Sequence, residues 1–539
     1  MKKLNHYLKF ALPVIATVAM LFSSCSSGLK GKEAQVPKDA YFVANVNLGK
    51  LWKNADMKNI DDLQCYPMLE GFLSQMPKVE KFVMDLLNDP STSGINTDND
   101  ILVFASKSDN SVMVAITASL KDKEKFTEFL NTLNDLAEAK IPVDDEDDSD
   151  DGLVYATLDK DAVLAYSEKG VALVIATDHK GRKLKSDYAA SLFAMDEDES
   201  LSADSQFQSY WNDRTEMGVY VSIQNLLKDK DFMRSIRSGI SEEQLKDLQG
   251  TSFYYTLAFE TGRIKMQSKA LGTSESAKSV LGKGLDNTLL KYMPGQTLAA
   301  ASLSLNLKSL VKYAEKNDGV RRSLNEKVEG TNYTIKDLIT AFGGNAVASF
   351  YGMKDEMPLF AIAVDVANAN LAREMLTSAN MIQKGDFYYP TGKDIPGCLY
   401  FDGKTLAYTN DPDAANTYAN GGYSNGLGQV AAKAKKGNYF YMDLNIRDYP
   451  EALLNILGIR YDSEMQPLFD MLRDLEIVGN ADNSSTLTIN LNDKRNSLAA
   501  IIRLIDQIAM NEMNRPRYYD SYDETAEDAW VEEVAEEWD

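Results

Sequence analysis

Apolar and polar residues alternate along much of the chain in the way that is typical of antiparallel hairpins. Apolar segments flank the polar stretch SKSDNS at 106–111 and flank GMKDEM at 352–357. Two further pairs of alternating segments are joined by ETGR at 260–263 and by Asp402-Gly403, a dipeptide typical of type I′ turns. These patterns predict strands that pair through short turns.

A helical period follows the first of these hairpins. Apolar side chains recur there at spacings of three and four among charged and amide residues, at Phe126, Phe129, Leu130, Leu133 and Leu136. Such a stripe predicts an amphipathic helix that covers a sheet. Because the hairpins are interleaved with helices and form no regular βαβ units, the chain is predicted to have an α+β fold.

The pattern occurs twice along the chain. Segment 36–51 parallels 293–310: each has a proline, a strand-like run and then an asparagine, Asn47 or Asn306, which we expect to cap a helix. Five such blocks recur in one order, among them GLVYATLDKD at 152–161 and GDFYYPTGKD at 385–394. We therefore predict two tandem homologous domains, each a mainly antiparallel sheet covered by helices, at 36–285 and 286–510.

The amino terminus predicts export and lipidation. Residues 1–24 combine a basic start with an apolar run at 10–22, which is short for a bilayer span and fits a signal peptide. The sequence LFSSC then resembles a bacterial lipobox, with Cys25 as the lipidated residue and 25–35 as a polar tether. Alternatives are an uncleaved anchor or a plain secretory signal. Several acyl chains on one cysteine would give stable membrane attachment.

Charge narrows the range of partners. The chain has 57 basic and 80 acidic residues, a formal net charge of −23, and removal of Lys2, Lys3 and Lys9 with the signal takes it to −26. So negative a protein repels polyanions, which excludes nucleic acid and favours basic partners. Beyond Cys25 only Cys65 and Cys398 remain, and the sequence leaves their pairing open.

Catalytic motifs are weak. G-x-S-x-G at 422–426 lies in a Gly/Asn-rich stretch without a preceding strand, and no histidine follows Ser424. Ser309 to Lys312 matches S-x-x-K and 108–110 reads SDN, but their order is the reverse of that in penicillin-recognising enzymes and no K-T-G is present. With two histidines in 539 residues, an interaction or structural role is favoured over catalysis, and no cofactor is expected.

Residues 144–151 form an acidic insertion without a counterpart in the second repeat. Its carboxylates could bind a divalent cation weakly, although the stretch fails the EF-hand pattern and a solvated loop is the simpler interpretation. The residues concerned are Asp144, Asp145, Glu146, Asp147, Asp148, Asp150 and Asp151.

The tail, 511–539, is acidic and contains two of the four tryptophans of the chain. Trp530, Val531, Val534 and Trp538 would share one face of a helix whose other face carries glutamates. Such a peptide fits docking in a groove of a basic partner, or folding back onto its own domain.

The lipobox, the opening VPKDAYFVANVNLGKLW and the duplicated strand–Asn–helix blocks together resemble a Bacteroidetes lipoprotein family known only as domain of unknown function 4836. The resemblance implies a lipoprotein of duplicated architecture and no active site. Surface-exposed lipoproteins of that phylum often carry acids directly after the cysteine. Here the first acid is Glu33, which favours an outer-membrane protein facing the periplasm.

Three functional hypotheses follow. The first is a lipid-anchored, non-enzymatic scaffold or assembly component at the outer membrane, with a protein partner. The second is a module that binds a glycan or small molecule in the cleft between the two repeats. The third is an enzyme that uses only carboxylates, as glycosidases do.

Overall fold

The computed structural model describes residues 35–513, apart from 109–110, 138–151, 160–161, 177–181, 238, 283, 285–286, 330, 356, 380, 392–395, 429–430, 432–437 and 457–465. The predicted signal peptide, Cys25, the acidic insertion at 144–151 and the tryptophans of the tail lie outside the described residues. The interpretations of these segments stay predictions.

The strands are mostly five to ten residues long, as the alternating patterns indicate. In chain order they are β1 Phe42–Val46, β2 Ile101–Ser108, β3 Ser111–Ala118, β4 Val154–Asp159, β5 Ala162–Ser167, β6 Gly170–Ala176, β7 Met217–Ser222, β8 Ser252–Glu260, β9 Arg263–Leu271, β10 Ala299–Ser304, β11 Phe342–Lys354, β12 Met357–Val366, β13 Ile382–Lys384, β14 Phe387–Tyr389, β15 Cys398–Phe401, β16 Thr405–Thr409, β17 Asn438–Leu444, β18 Leu472–Asn480 and β19 Ser484–Leu491.

Helices are interleaved with these strands. They are α1 Leu48–Asn54, α2 Tyr66–Leu73, α3 Pro77–Asn88, α4 Lys123–Ala137, α5 Arg182–Ala194, α6 Ser205–Asp213, α7 Ile223–Leu226, α8 Lys230–Ile236, α9 Glu242–Leu248, α10 Glu275–Lys278, α11 Leu307–Ala314, α12 Asp318–Leu324, α13 Ile335–Thr340, α14 Ala369–Ser378, α15 Pro412–Ala419, α16 Glu451–Ile456, α17 Gln466–Met471 and α18 Ser497–Met513. Short 3₁₀ turns lie at Met57–Asp62, Pro90–Ser93, Leu201–Ala203, Asn287–Tyr292 and Ile446–Asp448.

All strand pairs are antiparallel, and the pairing order repeats. In the first half it runs β4-β5-β6-β3-β2-β1-β7-β8-β9. In the second half it runs β13-β14-β15-β16-β12-β11-β10-β17-β18-β19. The α+β prediction is confirmed. The repeated order is the arrangement that a duplication would produce, while the division into two homologous domains stays a prediction.

The two halves share one sheet. Strand β9 pairs with β19 from Arg263 opposite Asn490 to Lys269 opposite Ser484, so the sheets expected for separate domains join edge to edge. An exposed edge strand leaves backbone N–H and C=O groups without partners. Pairing β9 with β19 satisfies those groups for both halves at once.

The predicted helical stripe is confirmed in α4. Phe126, Phe129, Leu130 and Leu133 are buried, and they form a core with Tyr166 and Leu164 of β5. The second half has a smaller core under α14, built on Leu376, Tyr388 and Phe401. The register of the sheet places α4 and α14 on the same face, one near each end.

The opposite face is covered more fully. In the first half α5 and α6 pack there against Val43, Phe104 and Met113. In the second half α15 and the Asn287–Tyr292 turn pack against Val347, Ala363 and Tyr441. Each half therefore has a principal core on one face and a second core near the far end of the other face.

The predicted hairpins are confirmed, but one turn differs in type. Asp402-Gly403 joins β15 to β16, yet of the two only Gly403 has a positive φ, whereas a type I′ turn needs both. The Asp402 carboxylate instead accepts hydrogen bonds from the N–H groups of Lys404 (2.9 Å) and Thr405 (2.7 Å). These side-chain bonds replace the backbone conformation that the dipeptide predicts.

Candidate partner-docking surface

One row of apolar side chains crosses the joined sheet from the first half to the second. Each member lies directly opposite the next on the neighbouring strand, so all of them point to the same face. We call this set the central row: Val46, Met217, Leu257, Met266, Leu487, Ile477, Met442, Ala301, Ala348 and Ile362.

The central row is incompletely covered. Met266, at the junction of the halves, is 41% exposed and Ile362 is 43% exposed, and the other members are half-buried. On β7, β11 and β17 the side chains that point to the opposite face include Tyr220, Val347 and Tyr441, which are fully buried. The two faces of the same strands therefore differ in how far they are covered.

A second apolar row runs parallel to the first and also crosses the junction. We call its members the outer row: Phe259, Ile264, Ile489, Leu475, Leu444, Ala299, Phe350 and Phe360. Phe350 and Phe360 have ring centroids 5.7 Å apart, and Phe360 is exposed. Together the rows make a continuous apolar surface rather than scattered apolar residues.

Polar side chains occupy the opposite face at the junction. They alternate with the apolar positions along β9 and β19, as Lys265, Gln267 and Lys269 on β9 and as Thr486, Thr488 and Asn490 on β19. Alternation of this kind is expected where one face of a sheet is solvated and the other is buried against something. The apolar face at the junction thus has the composition of a surface made for burial.

The carboxyl-terminal helix lies at the border of this surface. Helix α18 follows β19 in the second half and packs against β8 and α1 of the first half. Its buried Asp506 carboxylate accepts the backbone N–H groups of Gln64 and Cys65, each at 2.9 Å, just before α2. Burial opposes ionisation of Asp506, but these hydrogen bonds outweigh it and lower its pKa. Helix α18 belongs to the second half and contacts the first, so it connects the two halves in addition to the strand pairing.

The surface has the chemistry of an interaction site. Contiguous exposed apolar area on a protein marks a docking surface, because burial of that area is the main favourable term in association. Among the described residues, no group of three or more His, Cys, Asp and Glu side chains is placed to hold a metal ion. Within the same part of the chain, no helix is long and apolar enough to cross a bilayer.

The site residues predicted from the sequence fall outside the described part of the chain. This holds for the lipidation residue Cys25, for the acidic insertion from Asp144 to Asp151, and for Trp530, Val531, Val534 and Trp538 of the tail. The open question of Cys65 and Cys398 is answered: both are free thiols. Cys398 is buried, and burial raises the pKa of its thiol.

The weak catalytic motifs have local structural roles. The Ser309 N–H donates to the Asn306 side chain at 3.1 Å, in the first turn of α11. Ser424 is exposed in a turn, and no strand leads into it as a nucleophile elbow requires. Both agree with the interpretation that these matches arise by chance.

Sequence reasoning missed the residues of the central row. Met266 and Leu487 belong to alternating strands that the pattern identifies, but register and neighbour order come from pairings between residues more than 200 positions apart. The signal that could have found them is the recurrence of apolar residues at alternate positions in β8, β9, β18 and β19. It shows that each strand has one apolar face, without showing that these faces align.

Comparison with known proteins identifies the family of the chain, and the solved structures that match are only distantly similar. No curated protein matches the chain. Two solved structures of TP0453 match at 8% sequence identity: crystal form IV covers 45% of this chain and 81% of that chain with a TM-score of 0.23, and crystal form I covers 74% and 99% with a TM-score of 0.19.

A family model covers most of the chain and includes both rows and every strand named above. It matches residues 33–498 and is described as a domain of unknown function, DUF4836. The chain therefore belongs to the DUF4836 family.

Proposed function

We propose that this protein is a lipid-anchored interaction protein of the cell envelope, which docks an amphipathic segment of a protein partner on the apolar face of its joined sheet. The observation that carries the proposal is the central row, which runs without a polar interruption across the junction of the halves while Met266 and Ile362 remain exposed.

The chemistry of the surface defines the partner. An apolar stripe on the partner would cover the central and outer rows and release the water that now contacts them. The formal net charge of −23 favours basic residues on the flanks of that stripe. We therefore propose an amphipathic, basic partner segment, and a nucleic acid partner is disfavoured by the same charge.

The lipid anchor would fix where in the cell envelope this surface is presented. Acylated Cys25 would hold the protein at the outer membrane, facing the periplasm, as expected for a Bacteroidetes lipoprotein. The tether at 25–35 would then keep the start of the folded part within about 35 Å of the bilayer, since an extended chain spans at most about 3.5 Å per residue. A partner in the same membrane would lie within reach.

The tail supplies a second contact in this proposal. Trp530, Val531, Val534 and Trp538 would anchor in a groove of the partner, with the glutamates of the same segment steering it to a basic surface. Two weak contacts on one partner raise the overall affinity by effective concentration. The alternative of a glycan or small molecule held between the repeats stays a prediction.

Site-directed photo-crosslinking in the native envelope tests the docking surface. A photoreactive phenylalanine replaces Met266, and the matched control carries it at Lys265, the neighbouring residue that points to the opposite face of β9. We expect position 266 to crosslink one defined envelope protein through an amphipathic, basic peptide, with at least fivefold less product at position 265. Met266→Asp should abolish co-purification of that protein while the thermal unfolding midpoint of the variant is retained.

Other occupants give distinct results. Crosslinks from position 266 to lipid alone, to a second copy of this chain, or to residues 514–539 of the same chain would each overturn the partner proposal. Equal labelling of the same protein from positions 265 and 266 would overturn it as well, because the surface would then show no preference between the faces. Deletion of 518–539 separates the two contacts, since it should weaken the crosslink at 266 without eliminating it.

A further inference from the structure

A polar cavity of about 1040 Å³ opens within the second half, next to the strands that carry the outer row. Its walls are the segment that leads into β10, the loop at 425–428, and the chain around the end of β17 and the start of β18. The polar side chains that matter most are Gln296, Asn445, Arg447, Asp448, Arg473 and Asp474. The volume is at the top of the usual range for ligand sites.

One wall depends on the glycine-rich loop that contains the G-x-S-x-G match at 422–426. A Cβ atom on Gly426 would lie 1.7 Å from the carbonyl oxygen of Leu290, and one on Gly428 would lie 2.4 Å from that of Gly295. The loop can therefore pack against 290–295 only because these positions are glycine. The close packing of the cavity wall therefore explains its glycines without a nucleophile elbow.

The polar groups of the cavity are held in place by their neighbours. The Asn445 amide donates to Asp448 at 2.6 Å, the Arg473 Nε donates to Asp474 at 2.8 Å, and the Asn490 amide donates to the other oxygen of Asp474 at 2.5 Å. Each bond leaves further donor or acceptor positions on the same side chain. The cavity thus presents prearranged donors and acceptors.

The corresponding place in the first half has a larger side chain with hydrogen-bond partners. The backbone bonds from Leu298 to Phe350 and from Asn445 to Leu298 match those from Tyr41 to Ala105 and from Ser222 to Tyr41. Leu298 therefore stands where the first half has Tyr41, whose hydroxyl donates to Asp229 at 3.2 Å.

Further hydrogen bonds and an ion pair lie close to Tyr41 in the first half. Asp229 also pairs with Lys107 at 2.9 Å, and the Asn225 amide bridges the carbonyl groups of Lys38 and Ala40. Leu298 has no hydroxyl with which to build such a network, and it lines the cavity of the second half.

A second, smaller cavity of about 430 Å³ lies on Arg447, which also lines the first. Tyr449 and Phe469 line this part and provide aromatic rings. Burial, and then the nearby Asp443 carboxylate, raises the pKa of Tyr449, so its hydroxyl stays protonated and able to donate. Arg447 therefore lines both a polar cavity that includes the ring of Tyr351 and a neighbouring cavity with the rings of Tyr449 and Phe469.

These features identify the class of ligand. Two guanidinium groups oppose the binding of a cation, and the carboxylates beside them oppose the binding of an anion. Hydroxyl groups donate and accept at once, which suits a wall of mixed arginine, aspartate and amide side chains. Sugar rings also present apolar C–H faces to aromatic side chains. We infer that the second half contains a binding site for a neutral oligosaccharide.

Ligand-observed NMR on the full mature chain tests this site with cellohexaose, maltohexaose and chitohexaose as separate probes. We expect saturation transfer to at least one hexaose at millimolar concentration, with at least tenfold weaker binding in Arg447→Ala. Arg234→Ala, which removes an exposed arginine of α8 far from the cavity in the sequence, should bind as the parent does.

A second variant protects the test against a folding defect. Leu298→Tyr restores the first-half residue, fills the cavity and should abolish binding while the unfolding midpoint stays within a few degrees. Absence of binding for all three hexaoses, or binding that neither Arg447→Ala nor Leu298→Tyr alters, would overturn the inference. These results are independent of the crosslinks at Met266, so the two proposals can fail separately.

Discussion

Asn47 and Asn306 begin equivalent helices but have different surroundings. Asn47 accepts the N–H of Lys50 at 3.0 Å at the start of α1, and Asn306 accepts that of Ser309 at the start of α11, so both caps predicted from sequence are confirmed. Asn47 is buried and also donates to Asp100 at 2.8 Å, whereas Asn306 is exposed. The same residue type therefore has one structural role in the second half and two in the first.

This difference predicts unequal costs of removal. Asn306→Ala should lower the free energy of unfolding by about 1 kcal/mol, the usual value of an N-cap. Asn47→Ala should lower it by about 2–3 kcal/mol, because it also deprives the buried Asp100 carboxylate of a donor. Urea unfolding of the two variants under identical conditions measures the difference, and equal losses would show that the Asp100 contact adds nothing.

The lowered pKa of Asp229, which accepts a hydrogen bond from Tyr41 in the first half, predicts that the free energy of unfolding depends on pH. The N–H of Phe232 and the ammonium group of Lys107 lower the pKa of Asp229 to about 2. A lowered pKa stabilises the folded state above the unfolded value of about 3.9, and this contribution is lost as the pH falls through about 2. Asp229→Asn should therefore cost about 2 kcal/mol at pH 7. The difference from the parent chain in urea unfolding should shrink below about pH 4, and a constant difference would contradict the assignment.

At the scale of elements, the pairing of β9 with β19 joins the sheets of the two halves. Leu487 lies on β19 between β9 and β18, so its N–H faces a ladder on one side or the other. Leu487→Pro should remove that hydrogen bond and cost at least about 3 kcal/mol. We expect the unfolding transition of the full chain to broaden or to split in two, as the halves lose cooperativity.

An edge strand provides the matched control for this substitution. Ile382 lies on β13, which in the described part of the chain pairs with β14 alone. Ile382→Pro should leave the main unfolding transition nearly unchanged, because edge strands tolerate proline better than central ones. If both proline variants lost the same stability, the junction would not be the element that couples the halves.

At the scale of the whole molecule, attachment to the membrane is expected to depend on one residue. Cys25→Ser removes the thiol that would be acylated, and the apolar run at 10–22 alone is short for a bilayer span. We expect the variant to lose incorporation of labelled fatty acid and to move from the membrane fraction to the soluble periplasmic fraction. Cys65→Ser is the control, since Cys65 is a free thiol within the folded part and should leave labelling unchanged. Unchanged labelling of Cys25→Ser would contradict lipidation at this residue.

Local patterns were sufficient for the elements and for the α+β class. The stripe from Phe126 to Leu133 predicted α4, the Asn residues predicted caps, and the segments beside ETGR predicted β8 and β9, because each depends on neighbours within a few positions. The type of the turn at Asp402 was not predictable in this way, since a side-chain hydrogen bond replaced the conformation that the dipeptide favours.

The sequence by itself determined which strand faces are apolar, which helices cap and cover them, and that the chain carries a strong negative charge. Only the tertiary structure decided that β9 pairs with β19, that the apolar positions of strands from Val46 to Ile362 fall into one row, and that Leu298 lines a cavity at the position that Tyr41 occupies in the first half. The physical reason is distance along the chain. Alternation and capping arise between near neighbours, whereas register and cavity shape depend on contacts between segments that only the fold brings together.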